Sequence, residues 1–228
     1  MKALALDTAM PVGSLALVDQ GRGLLAKRRL PAGEPHSRLL MPEIDRMFSQ
    51  AGISIREVDL VAVGLGPGSF TGLRIGMAAA KGLALAANKP LVGVGTLDTL
   101  ARSFHGAHDG PICVVIDARK NQLYAAFYTA TPKGHERIDD ERTYTTDGLI
   151  ESVNGPTLFL GPGLERCEGE LAERLGNRFI RGPKDLDTPN AAVTAELAFE
   201  QFAQGVETDP ALVLPRYIRP PDIREPKQ

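Results

Sequence analysis

Two acids in this chain end apolar runs, Asp7 after Lys2-Ala-Leu-Ala-Leu and Asp117 after Pro111-Ile-Cys-Val-Val-Ile. In nucleotide-binding proteins built from two such copies, acids at these strand ends face a metal-bound phosphate across a cleft. The second candidate is Gly64-Leu-Gly-Pro-Gly-Ser-Phe-Thr-Gly72, a glycine-rich stretch between an apolar run and a helical pattern. Backbone N–H groups at such a junction can cradle an anion. Gly66 and Gly68, Thr8 beside Asp7, Arg119 beside Asp117, and Gly161 and Gly163 of a second Gly-Pro-Gly are the candidate phosphate contacts. The stretch fits neither G-x-G-x-x-G nor the P-loop pattern, which needs a following Gly-Lys-Ser/Thr. A tight strand-to-helix turn accounts for it equally well. The turn 8–13 carries the bulk of Met10 and the donor-less Pro11, and the turn 118–121 has no glycine. A full phosphate cradle is therefore not encoded, although Arg119 and Lys120 could attract phosphate by charge.

The four histidines, His36, His105, His108 and His135, form no H-E-x-x-H run. Ser69 lacks a G-x-S-x-G setting, and Ser37 reads as a helix N-cap rather than a nucleophile aimed by His36. The chain shows an enzyme-like chassis without visible catalytic chemistry. Cys113 and Cys167 are too few for a disulfide framework and too far apart in sequence for a four-ligand zinc knuckle. With 26 Lys+Arg against 28 Asp+Glu, bulk charge does not grip nucleic acid. No apolar run is long enough for a signal peptide or a membrane span. The expectation is a reduced cytoplasmic protein.

The elements that must position these residues fall into two rounds of one plan. Strands at 2–7, 14–18 and 24–30 precede a helix at 37–50, a strand at 59–63, the first Gly-Pro-Gly loop and a helix at 70–87. A strand at 91–94 and a short helix at 96–104 end the round. Strands at 111–117, 121–129 and 136–144, a helix at 146–153, a strand at 157–160, the second Gly-Pro-Gly and a helix at 164–175 repeat it. A helix at 190–204 and an extended tail from Leu214 follow. The reading is a duplicated α/β chain with two mixed sheets flanked by helices, divided at 1–107 and 108–228.

Within the helix 70–87, Gly72, Gly76, Ala80 and Ala84 recur every four residues and leave one face almost without bulk. Small faces admit close backbone approach. Phe70, Leu73, Met77 and Leu85 can cover the chain's own sheet, so the small face is expected to receive a partner.

These residues together resemble one family. Leu4-Ala-Leu-Asp-Thr8, His36-Ser-Arg-Leu-Leu-Met-Pro42, Gly66-Pro-Gly-Ser-Phe-Thr-Gly-Leu-Arg-Ile-Gly76, Ile116-Asp-Ala-Arg119 and Pro215-Arg-Tyr-Ile-Arg219 are similar to the TsaB family, formerly YeaZ. The resemblance implies an actin/Hsp70/sugar-kinase-like fold. It also implies a non-catalytic role beside a paralogue, TsaD, which adds threonylcarbamoyl to the adenosine next to the tRNA anticodon. The tRNAs implied are those reading codons that start with A.

A TsaE-like ATPase is the implied third member, tRNA is met through the complex, and a homodimer forms when the chain is alone. Pairing through the helices 37–50 and 70–87 would use Ser37, Leu40, Ile44, Met47, Thr71, Gly72, Leu73, Ile75, Gly76, Met77, Ala80 and Ala84. Thr96, Leu100 and Pro189 stand where the paralogue has metal ligands, so no metal is expected. No cofactor of its own is expected either, with ATP or ADP confined to weak binding or a composite subunit interface. Two further readings remain, a free-standing ATPase or small-molecule kinase and, more weakly, a glycoprotease-like peptidase. Lys27-Arg28-Arg29 and Arg216, Arg219 and Arg224 read as solvated charge or as tRNA contacts.

Overall fold

The computed structural model describes residues 1–218 apart from 107 and 133. Arg219 and Arg224 lie outside the described residues. Two sheets organise the chain. The first runs β3(Gly23–Leu30), β2(Gly13–Asp19), β1(Lys2–Asp7), β4(Leu60–Gly66) and β5(Leu91–Gly95). β2 is antiparallel to β1 and β3, whereas β4 and β5 run parallel to β1. The second sheet repeats this order. β7(Gln122–Thr131) pairs antiparallel with β6(Ile112–Arg119), and β10(Thr157–Leu160) and β11(Phe179–Arg181) continue parallel from it.

The third strand of the second copy is split. β8(Gly134–Arg137) and β9(Arg142–Tyr144) each pair with a different stretch of β7, where the sequence suggests one run over 136–144. β11, three residues long, has too little periodicity to be read in advance. It is nonetheless the counterpart of β5, and it completes the duplication.

Strand alternation sorts the first sheet into two unlike faces. Leu4 and Leu6, with Leu15, Leu17, Val61 and Val63, lie under α1(His36–Ala51) and α2(Phe70–Ala87). Ala3 and Ala5, with Ala16 and Ala62, lie under α6(Ala191–Ala203), which adds Ala191, Ala195 and Ala198. The alanines let a helix from the end of the chain sit close on the first sheet. The second sheet has the same construction. Ile112, Val114 and Ile116 pack with α3(Thr96–Arg102), while Cys113, Val115 and Phe159 pack with α5(Leu164–Leu175) and α4(Thr146–Glu151). Both cysteines are buried thiols whose pKa is pushed up by burial. No described helix is long and apolar enough to cross a membrane.

The caps differ from the sequence reading at one point. α1 begins at His36, with Pro35 at its N-cap in an extended conformation, and Ser37 caps nothing. Pro35 already holds φ at −62°, and the His36 ring is tied to the Met10 carbonyl at 2.9 Å. At α2 the cap is Ser69, whose hydroxyl accepts from the Gly72 N–H at 3.2 Å.

The small face of α2 is not left for a partner. Gly72, Gly76, Ala80 and Ala84 are all buried within the chain, as are Leu73 and Met77. A Cβ at Gly72 would overlap the Thr8 carbonyl oxygen, and one at Gly76 would overlap the Thr8 hydroxyl. Glycine is needed because the helix rests directly on the backbone after β1. Leu40, Ile44 and Met47 of α1 are likewise core residues, 0–2% exposed. The opposite side of α2 is the open one. Thr71, Arg74, Ala78, Gly82, Leu85 and Ala86 are exposed there, and Leu85 is 67% so.

Two substitutions in this helix should therefore move stability in opposite directions. Gly72→Ala forces the backbone apart and should cost about 1–3 kcal/mol despite its better helix propensity. Gly82→Ala meets nothing within 4 Å and should gain about 0.5–1 kcal/mol. Urea unfolding of the two variants beside the parent chain measures both.

Candidate functional site: the cleft between the halves and the outer face of α2

A cavity of about 1050 Å³ opens between the two halves. Its walls include Met10, His36, Phe70, Asp117, Arg166 and Tyr217. Each Gly-Pro-Gly loop reaches this region, but both are packed as turns. Ser69 N–H donates to the Ala9 carbonyl at 2.7 Å, and Gly72 N–H is taken by the Ser69 hydroxyl. A Cβ at Gly68 would overlap the Ala9 carbonyl oxygen. Gly66, at φ 99°, has the Leu73 side chain and the Arg216 carbonyl against it. In the second loop Gly161 N–H goes to Asp187 Oδ1 at 2.8 Å and Gly163 N–H to the Val115 carbonyl at 2.9 Å. The N–H donors of Ser69, Gly72, Gly161 and Gly163 are thus engaged inside the chain, and Gly66 and Gly68 are closely packed.

The two strand-end acids have parted company. Asp117 lines the cavity, and its Oδ1 accepts from the Arg119 N–H at 2.9 Å and from Arg166 at 3.1 Å. Arg166 also bonds Asn121 Oδ1 at 3.1 Å. Arg119, Lys120 and Asn121 hold φ of 63°, 49° and 60° without a glycine among them. The loop is thus fixed by side-chain bonds, where glycine would have given freedom.

Asp7 does not reach the cavity walls. It is 1% exposed, with Oδ1 accepting from the Ala9 N–H at 2.9 Å and Oδ2 without a partner. A Cβ at Gly64 would stand 2.6 Å from that Oδ2, so the strand beside it must be glycine. Thr8, also buried, spends its hydroxyl on the Gly72 carbonyl at 2.8 Å. The expectation that both acids face the cleft holds for Asp117 alone.

The positions laid against the paralogue's metal site do not fit a metal. Thr96 is fully buried with its hydroxyl unpaired, and Leu100 belongs to the apolar cluster between α3 and the second sheet. Pro189, also buried, offers no donor. One hydroxyl beside two hydrocarbon side chains is not a donor set for a divalent ion. Among the described residues no cluster of three or more His, Cys, Asp or Glu could hold one.

Sequence reading gave an extended tail from Leu214 but missed its anchoring. Residues 206–218 form no regular element, yet they are tied to the first half. The Thr208 carbonyl accepts from Leu91 N–H at 2.9 Å, and Arg216 N–H donates to the Leu65 carbonyl at 2.8 Å. Tyr217 lies 5.3 Å from the Phe70 ring, centroid to centroid, and its hydroxyl takes Arg74 Nε at 3.3 Å. The Arg74 guanidinium sits 3.8 Å over the Phe70 ring. A second hollow, of about 490 Å³, lies along this seam between α2 and the tail. The partners are over a hundred residues apart, and only the run Pro215-Arg-Tyr-Ile hinted at them.

The model of the TsaD family, tRNA N6-adenosine threonylcarbamoyltransferase, matches residues 31–157. The chain belongs to that family. Within the TsaD family it stands with the TsaB/YeaZ proteins. It is 28% identical to the tRNA threonylcarbamoyladenosine biosynthesis protein TsaB of Escherichia coli K12, over 96% of this chain and 95% of that one. A crystal structure from Pseudomonas aeruginosa, described as an uncharacterized protein with similarity to peptidase YeaZ, is 27% identical. It superposes with a TM-score of 0.79 over 96% of this chain and 99% of that one. Component A of the (R)-2-hydroxyglutaryl-CoA dehydratase of Acidaminococcus fermentans, at 10% identity and a TM-score of 0.52, shares the fold over 89% of this chain and 99% of its own. The fold is the duplicated actin/Hsp70/sugar-kinase-like one.

The environment of Asp7 gives a signed pH dependence. Burial raises its carboxyl from 3.8 to about 6, against the lowering effect of the Ala9 N–H. The folded state therefore holds this proton more tightly than the unfolded state. That contribution is fully present below 3.8 and is lost as pH rises through about 6. Urea midpoints of the parent chain and Asp7→Asn should converge toward the acid side. Between pH 4 and pH 8 the variant should gain about 2 kcal/mol on the parent.

Proposed function

We propose that this chain is the non-catalytic, activating member of the assembly that adds threonylcarbamoyl to the adenosine next to the anticodon. Its tRNAs are those that read codons starting with A. A TsaD-like paralogue supplies the catalysis, a TsaE-like ATPase is the third member, and tRNA is met through the complex. The near full-length match to a protein named for tRNA threonylcarbamoyladenosine biosynthesis supports this reading. So does the chemistry of Thr96, Leu100 and Pro189, which cannot replace imidazole and carboxylate ligands.

The observation that carries the docking role is the outer side of α2. Ala78, Gly82 and Ala86 recur every four residues there, beside exposed Leu85. Met41 of the neighbouring α1 is 47% exposed. This second small-residue stripe, and not the buried one, is the surface on which another helix can settle closely. Ser37, Thr71 and Ile75 keep their place at its margin. A second copy of the chain uses the same face when the paralogue is absent.

Nucleotide is assigned to weak binding or to a composite interface of the assembly, because the N–H groups of Ser69, Gly72, Gly161 and Gly163 are already engaged. The free-standing ATPase reading rests on the size of the cleft and on Asp117 and Arg119 in its wall, and low-micromolar affinity for Mg-ATP in calorimetry would revive it. The peptidase reading draws no support from Ser69 or His36, since the Ser69 hydroxyl caps α2 and His36 Nε2 meets the Met10 carbonyl.

Reconstitution with the paralogue, the ATPase and tRNA tests the role, and full modification without this chain would refute it. Ala78→Glu and Leu85→Glu alter exposed positions, so both variants should fold normally. Each should weaken co-elution with the paralogue by about tenfold or more and lower modification to match. Unchanged co-elution would move the interface elsewhere.

A further inference from the structure

One charged side chain of the second half is nearly buried between two arginines of distant segments. Glu141 is 6% exposed in its side chain. Its Oε1 accepts from Arg216 of the tail at 2.9 Å, and its Oε2 faces Arg137 of β8 at 3.2 Å, off the line of a hydrogen bond. Arg137 in turn grips Asp98 of α3 in a two-pronged bond, its Nη2 lying 2.6 Å from both carboxylate oxygens and its Nε 3.1 Å from one. Tyr128 of β7 donates to the same carboxylate at 2.9 Å. A Cβ at Gly95 would overlap Asp98 Oδ2, so the strand before α3 is left bare to admit the pair.

The four charges alternate in sign, and they join three parts of the chain. Asp98 belongs to the segment that leaves the first sheet. Arg137 and Glu141 belong to the second half. Arg216 is anchored to the end of β4 through its own N–H and lines the cleft with Tyr217. We infer that Asp98, Arg137, Glu141 and Arg216 form an ionic latch that holds the cleft at one opening and pins the tail against α2. Burial disfavours the charge on Arg137, but the Asp98 bonds and charge more than offset it, so its pKa lies above the ordinary arginine value. The neighbouring bond of Arg102 to Glu200 ties α3 to α6 in the same way, so α3 is fixed on both flanks. The chain then acts as a rigid block.

Loss of one link exposes the device. In Glu141→Gln, two arginines are left facing a neutral amide, and the tail loses its tie to the second half. Hydrogen exchange of the full chain should show residues 208–218 exchanging about tenfold faster, with β1 and β6 unchanged. Arg216→Gln removes only the outer link, on a half-exposed side chain, and should release the tail equally even if Glu141→Gln folds poorly. Spin labels at Ser49→Cys and Glu173→Cys, both exposed positions on opposite halves, report the opening. The parent should give one narrow distance, and Asp98→Asn and Glu141→Gln should broaden it. Tail exchange at the parent rate in Arg216→Gln, or an unbroadened distance in Asp98→Asn, would overturn the inference. It concerns the isolated chain, so its failure is separate from failure of the proposed docking.

Discussion

The contact between α2 and the backbone after β1 governs the rest of the first half. Gly72 and Gly76 have no side chain, so the helix axis can approach Thr8 until the Thr8 hydroxyl reaches the Gly72 carbonyl at 2.8 Å. From that approach follow the burial of the leucine face of the first sheet and the folding of the Gly-Pro-Gly loop over Ala9. The N–H groups of Ser69 and Gly72 are consumed as a result. One packing constraint thus converts what looks like an anion cradle into a structural joint, and it turns the opposite side of α2 outward.

Most of the architecture was legible in the sequence because it is written locally. The apolar run Lys2-Ala-Leu-Ala-Leu-Asp7 marks a strand, and the pattern after the first Gly-Pro-Gly marks a helix over 70–87, the range that α2 takes. The duplication was visible in the order of strands and in the two Gly-Pro-Gly signals. The failures have a common cause. A stripe of small residues says that something comes close, but not whether the neighbour is another protein or the chain's own backbone. Likewise Phe179–Arg181 is too short to carry a period, and the contacts of Arg216 with Glu141 and Leu65 and of Tyr217 with Phe70 join residues 75 to 151 positions apart (Arg216 to Leu65 being the longest). Composition and spacing hold no record of such meetings.

The two halves show how a repeated plan diverges. Asp7 and Asp117 occupy matching strand ends, yet one is sealed beside Gly64 with a raised pKa, and the other is half-buried at the cleft wall and held by Arg166. The turns beside them differ accordingly. The first is filled by Met10 and pressed by α2, while the second is a left-handed run of three side-chain-bearing residues. Symmetry in sequence order therefore did not survive as symmetry of environment, and the cleft is lined by the acid of one copy only.

The position of α6 has a consequence for how the protein is made. The alanine face of the first sheet is complete by Ala62, but the helix that covers it is written only after every strand of the second sheet. While a ribosome is still at work, Ala3, Ala5, Ala16 and Ala62 stand open to water, and the nascent first half is obliged to wait for its lid. Synthesis and completion of this half are thereby tied together, and a transcript cut short before α6 yields a chain with a bare hydrophobic sheet for chaperones and proteases to find.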